Sequence, residues 1–310
     1  MGQKLKFTAT NTKAIIDWLN QFVAIDSSLV IEMDIFNKLF VAKSSTTDRS
    51  FACYSTLPFE DATIEFDMSS DFDFLNSDNK RLKLGILLSL DKFINILGPF
   101  SKSNVQLTVD VVPKQIKEPA DNDMTYYSVG RLTLKNDELQ MVYNFAEDQH
   151  FIFITDKFFF NSMYKLADPI QVEIPNSSIK ESLSINDIYN NNAKKDRVEF
   201  SFESDEDDSN YISRITTSDA EGNYKMDLIT LEDTERIPLH ESSSSPDYPT
   251  VFKLLKKYLT IFLKSVNTAD TSVWQFPYDS QKAMQNRVLI KSGNSYFCIG
   301  GVNVEDFETI

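Results

Sequence analysis

The chain has 310 residues, of which 42% are hydrophobic, and its 46 acidic residues against 31 lysines and arginines give a net charge of −15. This length and composition allow a full hydrophobic core and favour two domains, which excludes a disordered chain. Two cysteines, two histidines and eight glycines provide no disulfide framework and no glycine-rich phosphate loop. The sequence has no run of 18 apolar residues and no apolar leader, so we expect a soluble, cytoplasmic protein without a membrane partner.

The first half predicts a strand, a helix and then several short strands. Asn11 is a candidate N-cap for the first helix, which follows the strand at 5–9. Four short apolar or alternating runs come next, separated by turn residues, which indicates an antiparallel meander rather than βαβ units. A further strand then leads to Asp91, a candidate cap for a second helix that Gly98 and Pro99 end. Three more strands close this half.

The second half repeats this order of elements. A strand at 170–174 is followed by a helix that opens at Pro175 and Asn176, then by strands, a helix at 251–266 and three final strands. The repeat predicts a duplicated α+β protein with two helices on one face of antiparallel sheets in each domain. We expect domain 1 at residues 1–146, a linker at 147–169 and domain 2 at 170–310.

The predicted helix at 251–266, VFKLLKKYLTIFLKSV, segregates lysines from apolar residues. At about 100° per residue, its four lysines fall within one third of the circumference and the large apolar residues occupy the rest. One interpretation is an ordinary solvated face. The other is a cationic face that binds an anionic polymer, since the chain as a whole is acidic. The lysines expected on the exposed helix faces are Lys13, Lys92, Lys180, Lys253, Lys256, Lys257 and Lys264.

The residues that carry most enzyme chemistry are scarce. His150 and His240 have no second histidine, cysteine or spaced carboxylate beside them in a pattern that a metal site or an activated nucleophile needs. We therefore expect no catalytic residues, no metal and no cofactor, and a function other than an enzyme's.

The order of elements resembles that of DNA polymerase sliding clamps of the proliferating-cell-nuclear-antigen and phage type. Three segments carry the local likeness. SSLVIEMD resembles the clamp strand after the first helix, RLKLGILLSLDKFINILGPF resembles a clamp strand that runs into a helix, and RVLIKSGNSYFCIGG is similar to the closing hairpin. The resemblance covers nearly the whole chain, although the architecture carries more of it than the sequence motifs.

This resemblance implies a duplicated clamp fold, a ring of three subunits around duplex DNA, and lysines that contact phosphates without reading bases. It also implies an outer pocket for peptides of a DNA polymerase and a clamp loader. By position in the chain, the residues of that pocket are Phe40, Phe51, Phe297 and Ile299, each of which is also a candidate for the core.

The function expected is that of a processivity factor in DNA replication. Phe, Ile, Asn, Lys, Asp and Ser are plentiful and glycine is scarce, which is typical of proteins from AT-rich genomes and indicates a viral source. In that case the protein acts in the host cytoplasm or nucleoid. Two alternatives remain open from the sequence. One is a clamp-fold adaptor or transcription coactivator that forms no ring, and the other is a viral structural protein.

Overall fold

The protein forms two compact units in a computed structural model. Unit 1 comprises Met1–Ser45 and Cys53–Ile154, and unit 2 comprises Thr46–Ala52 and Thr155–Ile310. The residues that the structure describes are 3–34, 37–48, 50–66, 82–113, 125–144, 169–189, 197–204, 211–219, 224–232, 235–238, 251–276 and 287–300. Most of the predicted linker and both histidines lie outside these ranges, so the predicted domain boundaries stay a prediction.

Unit 1 contains nine strands and two helices within the described residues. The strands are β1 (Gln3–Ala9), β2 (Ser28–Asp34), β3 (Leu39–Ser45), β4 (Phe51–Pro58), β5 (Ile64–Phe66), β6 (Leu82–Ser89), β7 (Val105–Pro113), β8 (Thr125–Lys135) and β9 (Gln140–Asn144). The first two residues of β4 belong to unit 2. The helices are α1 (Thr12–Asn20) and α2 (Leu90–Leu97). The strands lie in the order β4-β3-β2-β6-β8-β7-β1-β5, and β9 pairs with β8.

The local signals in unit 1 predict most of these elements. The side chain of Asn11 accepts a hydrogen bond from the amide of Ala14 at 3.3 Å, which confirms the predicted cap. The second predicted cap is wrong, because Ser89 occupies the N-cap position and Asp91 lies inside the first turn. Nearly all described pairings are antiparallel, as expected, but β6 and β8 run parallel.

Unit 2 repeats the pattern with ten strands and two helices in its described part. The strands are β10 (Ile170–Pro175), β11 (Arg197–Glu203), β12 (Tyr211–Ile212), β13 (Arg214–Asp219), β14 (Lys225–Thr230), β15 (Ile237–Pro238), β16 (Val251–Leu255), β17 (Thr271–Phe276), β18 (Arg287–Ser292) and β19 (Ser295–Gly300). The helices are α3 (Asn176–Tyr189) and α4 (Lys256–Ser265). One group of strands runs β10-β17-β18-β19, another β14-β13-β11-β16, and β12 pairs with β15.

Seven buried aromatic side chains fill the core of unit 2. Neighbouring ring centroids in this cluster lie between 5.0 and 5.9 Å apart, in tilted, stacked and edge-to-face arrangements that suit aromatic packing. Phe262 of α4 packs on Trp274 and Phe297, which places α4 on the core side of β17 and β19. The cluster consists of Phe200, Phe202, Phe252, Phe262, Trp274, Phe276 and Phe297.

The start of the last helix is wrong in the sequence-based prediction. Residues 251–255 form β16, and the helix begins only at Lys256. In β16 the side chains of Phe252 and Leu254 are buried while Lys253 points to the other face. A short run such as VFKLL fits both the helical and the alternating strand period, and pairing with β11 decides between them.

The four helices in the described part of the chain are short, with 8 to 14 residues. None of those in the described part of the chain has the length and apolar character needed to cross a membrane.

Candidate nucleic-acid interface

In each unit the two helices that the structure describes pack against each other and expose one side. In unit 1, α1 buries Ile15, Trp18 and Leu19, and the indole of Trp18 donates a hydrogen bond to the hydroxyl of Ser55 at 2.9 Å. The α2 helix buries Leu90, Phe93 and Leu97. In each unit the exposed sides of these helices therefore form a helix layer opposite the core of that unit.

The lysines of α1, α2 and α3 lie on the helix layers of their own units but are balanced by carboxylates. Lys13 shares the exposed side of α1 with Asp17, and Lys92 follows Asp91 directly on α2. On α3, Lys180 is next to Glu181 and lies at the edge of an open depression of about 470 Å³. These three helices therefore contribute no surplus of positive charge.

Lys253 does not belong to the helix layer. It lies on β16, where its ammonium group forms an ion pair with Glu199 on β11 at 2.7 Å. Both side chains point away from Phe200 and Leu254, which face the core. The sequence-based assignment of Lys253 to the cationic helix face is corrected, because that assignment required residue 253 to be helical.

Lys256 begins α4 and is held by a neighbouring helix. Its ammonium group forms an ion pair with Asp187 of α3. The lysine side chain is only 13% exposed, whereas that of Asp187 is 68% exposed. Most of the charge of Lys256 is therefore neutralised before any ligand approaches.

Lys257 lies in a polar cluster built around Asp48. The carboxylate of Asp48 accepts hydrogen bonds from the Thr46 hydroxyl at 2.6 Å, the Ser50 amide at 3.1 Å, the Lys257 ammonium at 3.1 Å and the Tyr258 hydroxyl. The Lys257 ammonium lies 4.5 Å from the centre of the Tyr258 ring. The hydrogen bonds from Thr46 and then Tyr258 hold the pKa of Asp48 well below its usual value.

The same cluster keeps Lys257 charged. Its hydrogen bond with Tyr258, followed by that with Asp48, raises the pKa of the lysine above its ordinary value. Both members of the Lys257–Asp48 pair are therefore ionised at neutral pH, and half of the Lys257 side chain remains exposed.

Lys264 is the exposed lysine near the end of α4. It forms no ion pair with any residue in the described ranges, in contrast to the other lysines of the predicted stripe. Lys257 and Lys264 are seven residues apart, which places them about 20° apart around the helix and about 10.5 Å apart along its axis. They form one row on the exposed side of α4.

The four aromatic and aliphatic residues assigned to a partner pocket are buried. Phe40 packs on Trp18 in unit 1, with ring centroids 6.2 Å apart. Phe51, Phe297 and Ile299 are at most 1% exposed in unit 2. The Phe51 and Phe297 rings lie 6.0 Å apart. The structure gives all four the core position that the sequence left open as the alternative. Their assignment to a partner pocket stays a prediction, and Phe297 also borders the depression described next.

The face of unit 2 opposite α4 carries a depression of about 310 Å³. Val273, Leu289 and Tyr296 supply its apolar surface, and the ammonium group of Lys291 lies 5.6 Å from the Tyr296 ring. The side chain of Gln275 donates a hydrogen bond to Gln171 along the rim at 3.0 Å, while Ile290 and Phe297 also border the space. Strand alternation in β17, β18 and β19 could have revealed this surface from the sequence.

The described residues contain no group of three or more histidines, cysteines or carboxylates arranged to hold a metal ion. Cys53 and Cys298 are free thiols. Burial raises the pKa of both, that of Cys298 to about 11, which keeps the thiolate nucleophile scarce at neutral pH.

Several solved structures with the same architecture are sliding clamps. PCNA of A. fulgidus, solved with the C-terminal region of FEN-1, matches with a TM-score of 0.56 and 13% identity over 96% of this chain and 98% of its own. PCNA of Thermococcus kodakaraensis matches with a TM-score of 0.54 and 12% identity over 96% of this chain and 100% of its own. The Helicobacter pylori beta clamp bound to a DNA ligase peptide matches with a TM-score of 0.59 and 11% identity over 98% of this chain and 67% of its own.

The likeness to these clamps lies in the three-dimensional structure rather than in the sequence. No protein-family model matches the chain, and no curated protein matches it. The similar structures share 10–14% of their residues with it. The chain has the α+β fold of the DNA polymerase sliding clamps, with mainly antiparallel sheets and, in the described part of each unit, two helices.

Proposed function

We propose that the protein is a non-enzymatic sliding clamp that encircles duplex DNA and tethers a replicative polymerase. The observation that carries this proposal is the row of Lys257 and Lys264 on the exposed side of α4, in a clamp fold whose net charge is −15. Lysines contact phosphates without reading base edges, so binding through this row is independent of sequence. A ring then retains the duplex topologically while still sliding along it.

Two edge strands support assembly into a ring. Among the described strands, β9 pairs only with β8 and β14 pairs only with β13. Leu139 and Val142 at β9 are 38% and 50% exposed. An unpaired strand edge with exposed apolar side chains is a template for another chain. We infer that such edges join three subunits in a closed ring.

The proposal predicts duplex binding that is independent of sequence and sensitive to salt. Fluorescence anisotropy with two labelled duplexes of unrelated sequence should give equal affinities, because no base contact is involved. The logarithm of the binding constant should fall linearly with the logarithm of the salt concentration, with a slope of about −0.9 for each phosphate neutralised. A strong preference for one duplex, or no binding at 50 mM salt, contradicts this function.

The depression opposite α4 is our candidate for the contact with partner peptides. Two of the similar clamps were solved with such peptides, from FEN-1 and from DNA ligase. The apolar floor at Leu289 and the exposed ammonium group of Lys291 suit an extended peptide with an apolar anchor beside a carboxylate. We infer that peptides of a polymerase and a clamp loader bind there.

Lys291→Glu tests this contact. The change should weaken binding of an acidic, aromatic peptide from the partner polymerase by about tenfold, since it replaces attraction by repulsion at the rim. Lys264→Glu, which makes the same charge change at an exposed lysine on the opposite face of unit 2, is the matched control. If peptide affinity falls equally in both variants, or falls in neither, the depression is not the binding surface.

One observation favours the adaptor as a second candidate. The exposed helix faces of unit 1 carry balanced charges, and two of the α4 lysines are already paired with carboxylates. A clamp-fold adaptor that forms no ring requires no cationic surface. In that case the outer depression would bind its partner but the helix layer would not bind DNA.

A further inference from the structure

Two carboxylates of unit 2 are arranged against the lysines at the start of α4. Asp48 pairs with Lys257, and Asp187 pairs with Lys256. These carboxylates come from different parts of the chain, the segment Thr46–Ala52 and helix α3. Lys264, eight residues after Lys256, has no such partner in the described part of the chain. The lysines at the start of α4 are therefore paired with carboxylates, whereas the lysine near its end is not paired with any described residue.

Asp48 is fixed in place independently of Lys257. The Thr46 hydroxyl and the Ser50 amide hold its carboxylate through the turn, and the Tyr258 hydroxyl holds it from the buried side of α4. Tyr258 itself is 2% exposed, and its ring stacks on that of Phe51 with centroids 6.3 Å apart. The negative charge therefore stays beside α4 when the long Lys257 side chain changes rotamer.

We propose that Asp48 and Asp187 are internal counterions that lower the affinity of α4 for a duplex, so that Lys264 makes the principal phosphate contact. This inference rests on the proposed DNA-binding function. A phosphate that approaches Lys257 competes with a carboxylate 3.1 Å from the ammonium nitrogen and is repelled by it. The lysine gains a phosphate only by giving up an existing partner, which lowers the net gain.

A weak contact suits a clamp that holds DNA by topology. Each strong lysine–phosphate contact must break when the protein moves by one step along the duplex. Compensated lysines lower that cost while the net field of α4 still attracts the phosphate backbone. In this account the two carboxylates set the affinity, and the closed ring supplies the retention.

Asp48→Asn is the direct test, measured by anisotropy with a labelled duplex at 0.1 M salt. Asparagine keeps an acceptor oxygen for Thr46 and Ser50 but removes the charge. The variant should bind about two- to fivefold more tightly, in keeping with the strength of an exposed ion pair. Its salt slope should steepen by about 0.9 for each phosphate that Lys257 gains. Asp187→Asn should act in the same direction through Lys256.

Two further variants make the outcome specific. Glu173→Gln removes an exposed carboxylate from β10, whose core side chains Val172 and Ile174 face the other way, and should leave affinity unchanged. In an Asp48→Asn, Lys257→Ala double variant the gain should disappear, because the released lysine is gone. Unchanged or weaker binding by Asp48→Asn overturns the inference, as does a gain that persists without Lys257.

The same measurements separate this inference from the proposed function. If the wild-type protein binds the duplex and Lys264→Ala weakens it, the function stands whatever Asp48→Asn does. If neither the wild-type protein nor Asp48→Asn binds at 50 mM salt, the function fails and the inference fails with it.

Discussion

Replacing Lys264 by alanine is expected to weaken duplex binding about tenfold at 0.1 M salt, because the variant can no longer neutralise a phosphate at this position. Lys264 is exposed on α4 and has no carboxylate partner in the described ranges, so its whole charge is available to a phosphate. The slope of log affinity against log salt should become shallower by about 0.9. Lys257→Ala should have a smaller effect, because Asp48 already neutralises that lysine.

The control for this prediction is Lys291→Ala. Lys291 is exposed on β18, in a strand whose core residues Val288 and Ile290 face the side on which α4 packs. The substitution removes the same charge from the opposite face of unit 2. If Lys264→Ala leaves binding unchanged, the row on α4 is an ordinary solvated face. If Lys291→Ala weakens binding as much, the effect is one of net charge rather than of a contact.

The order of the elements could be predicted because each signal is local. Asn11 caps α1 through its own side chain, and Pro175 comes directly before α3. Strands with one buried face are predicted in the same way, from the alternation of apolar and polar residues. The same order of elements occurs twice along the chain, which predicts the duplication.

The internal repeat indicates where the last helix begins more reliably than helical periodicity does. In unit 1, β6 runs directly into α2, and in unit 2, β16 runs directly into α4. Aligning the two halves assigns 251–255 to a strand and moves Lys253 away from the helix. Periodicity alone could not show this, since the residues of a short strand that enters a helix fit both periods.

The charge state of the candidate site could not be predicted from the sequence. Asp48 is 209 positions from Lys257, and Asp187 is 69 positions from Lys256. Only the fold brings these pairs together. The sequence predicts a stripe of lysines, whereas the structure pairs Lys256 and Lys257 of α4 with carboxylates and gives Lys264 no such partner among the described residues. The burial of the predicted pocket residues could not be predicted for a related reason, because a buried aromatic and a pocket aromatic have the same pattern in a strand.

Blocking the edge of β9 is expected to break the ring into single subunits. Val142 is 50% exposed on this strand, and Val142→Lys places a charge where a second chain would pair. The subunit fold should persist, because the replaced side chain is not part of the core. Ile188→Lys, at a 71% exposed position on α3, is the matched control and should leave assembly unchanged. Assembly that survives Val142→Lys shows that other edges form the interface.

Light scattering of the intact wild-type chain at micromolar concentration tests the central claim most directly. One chain has a mass of 35.5 kDa. A closed ring predicts three times this mass, constant over a range of concentrations because a cyclic assembly leaves no open interface. A mass of one chain at every concentration would contradict the ring and favour the clamp-fold adaptor.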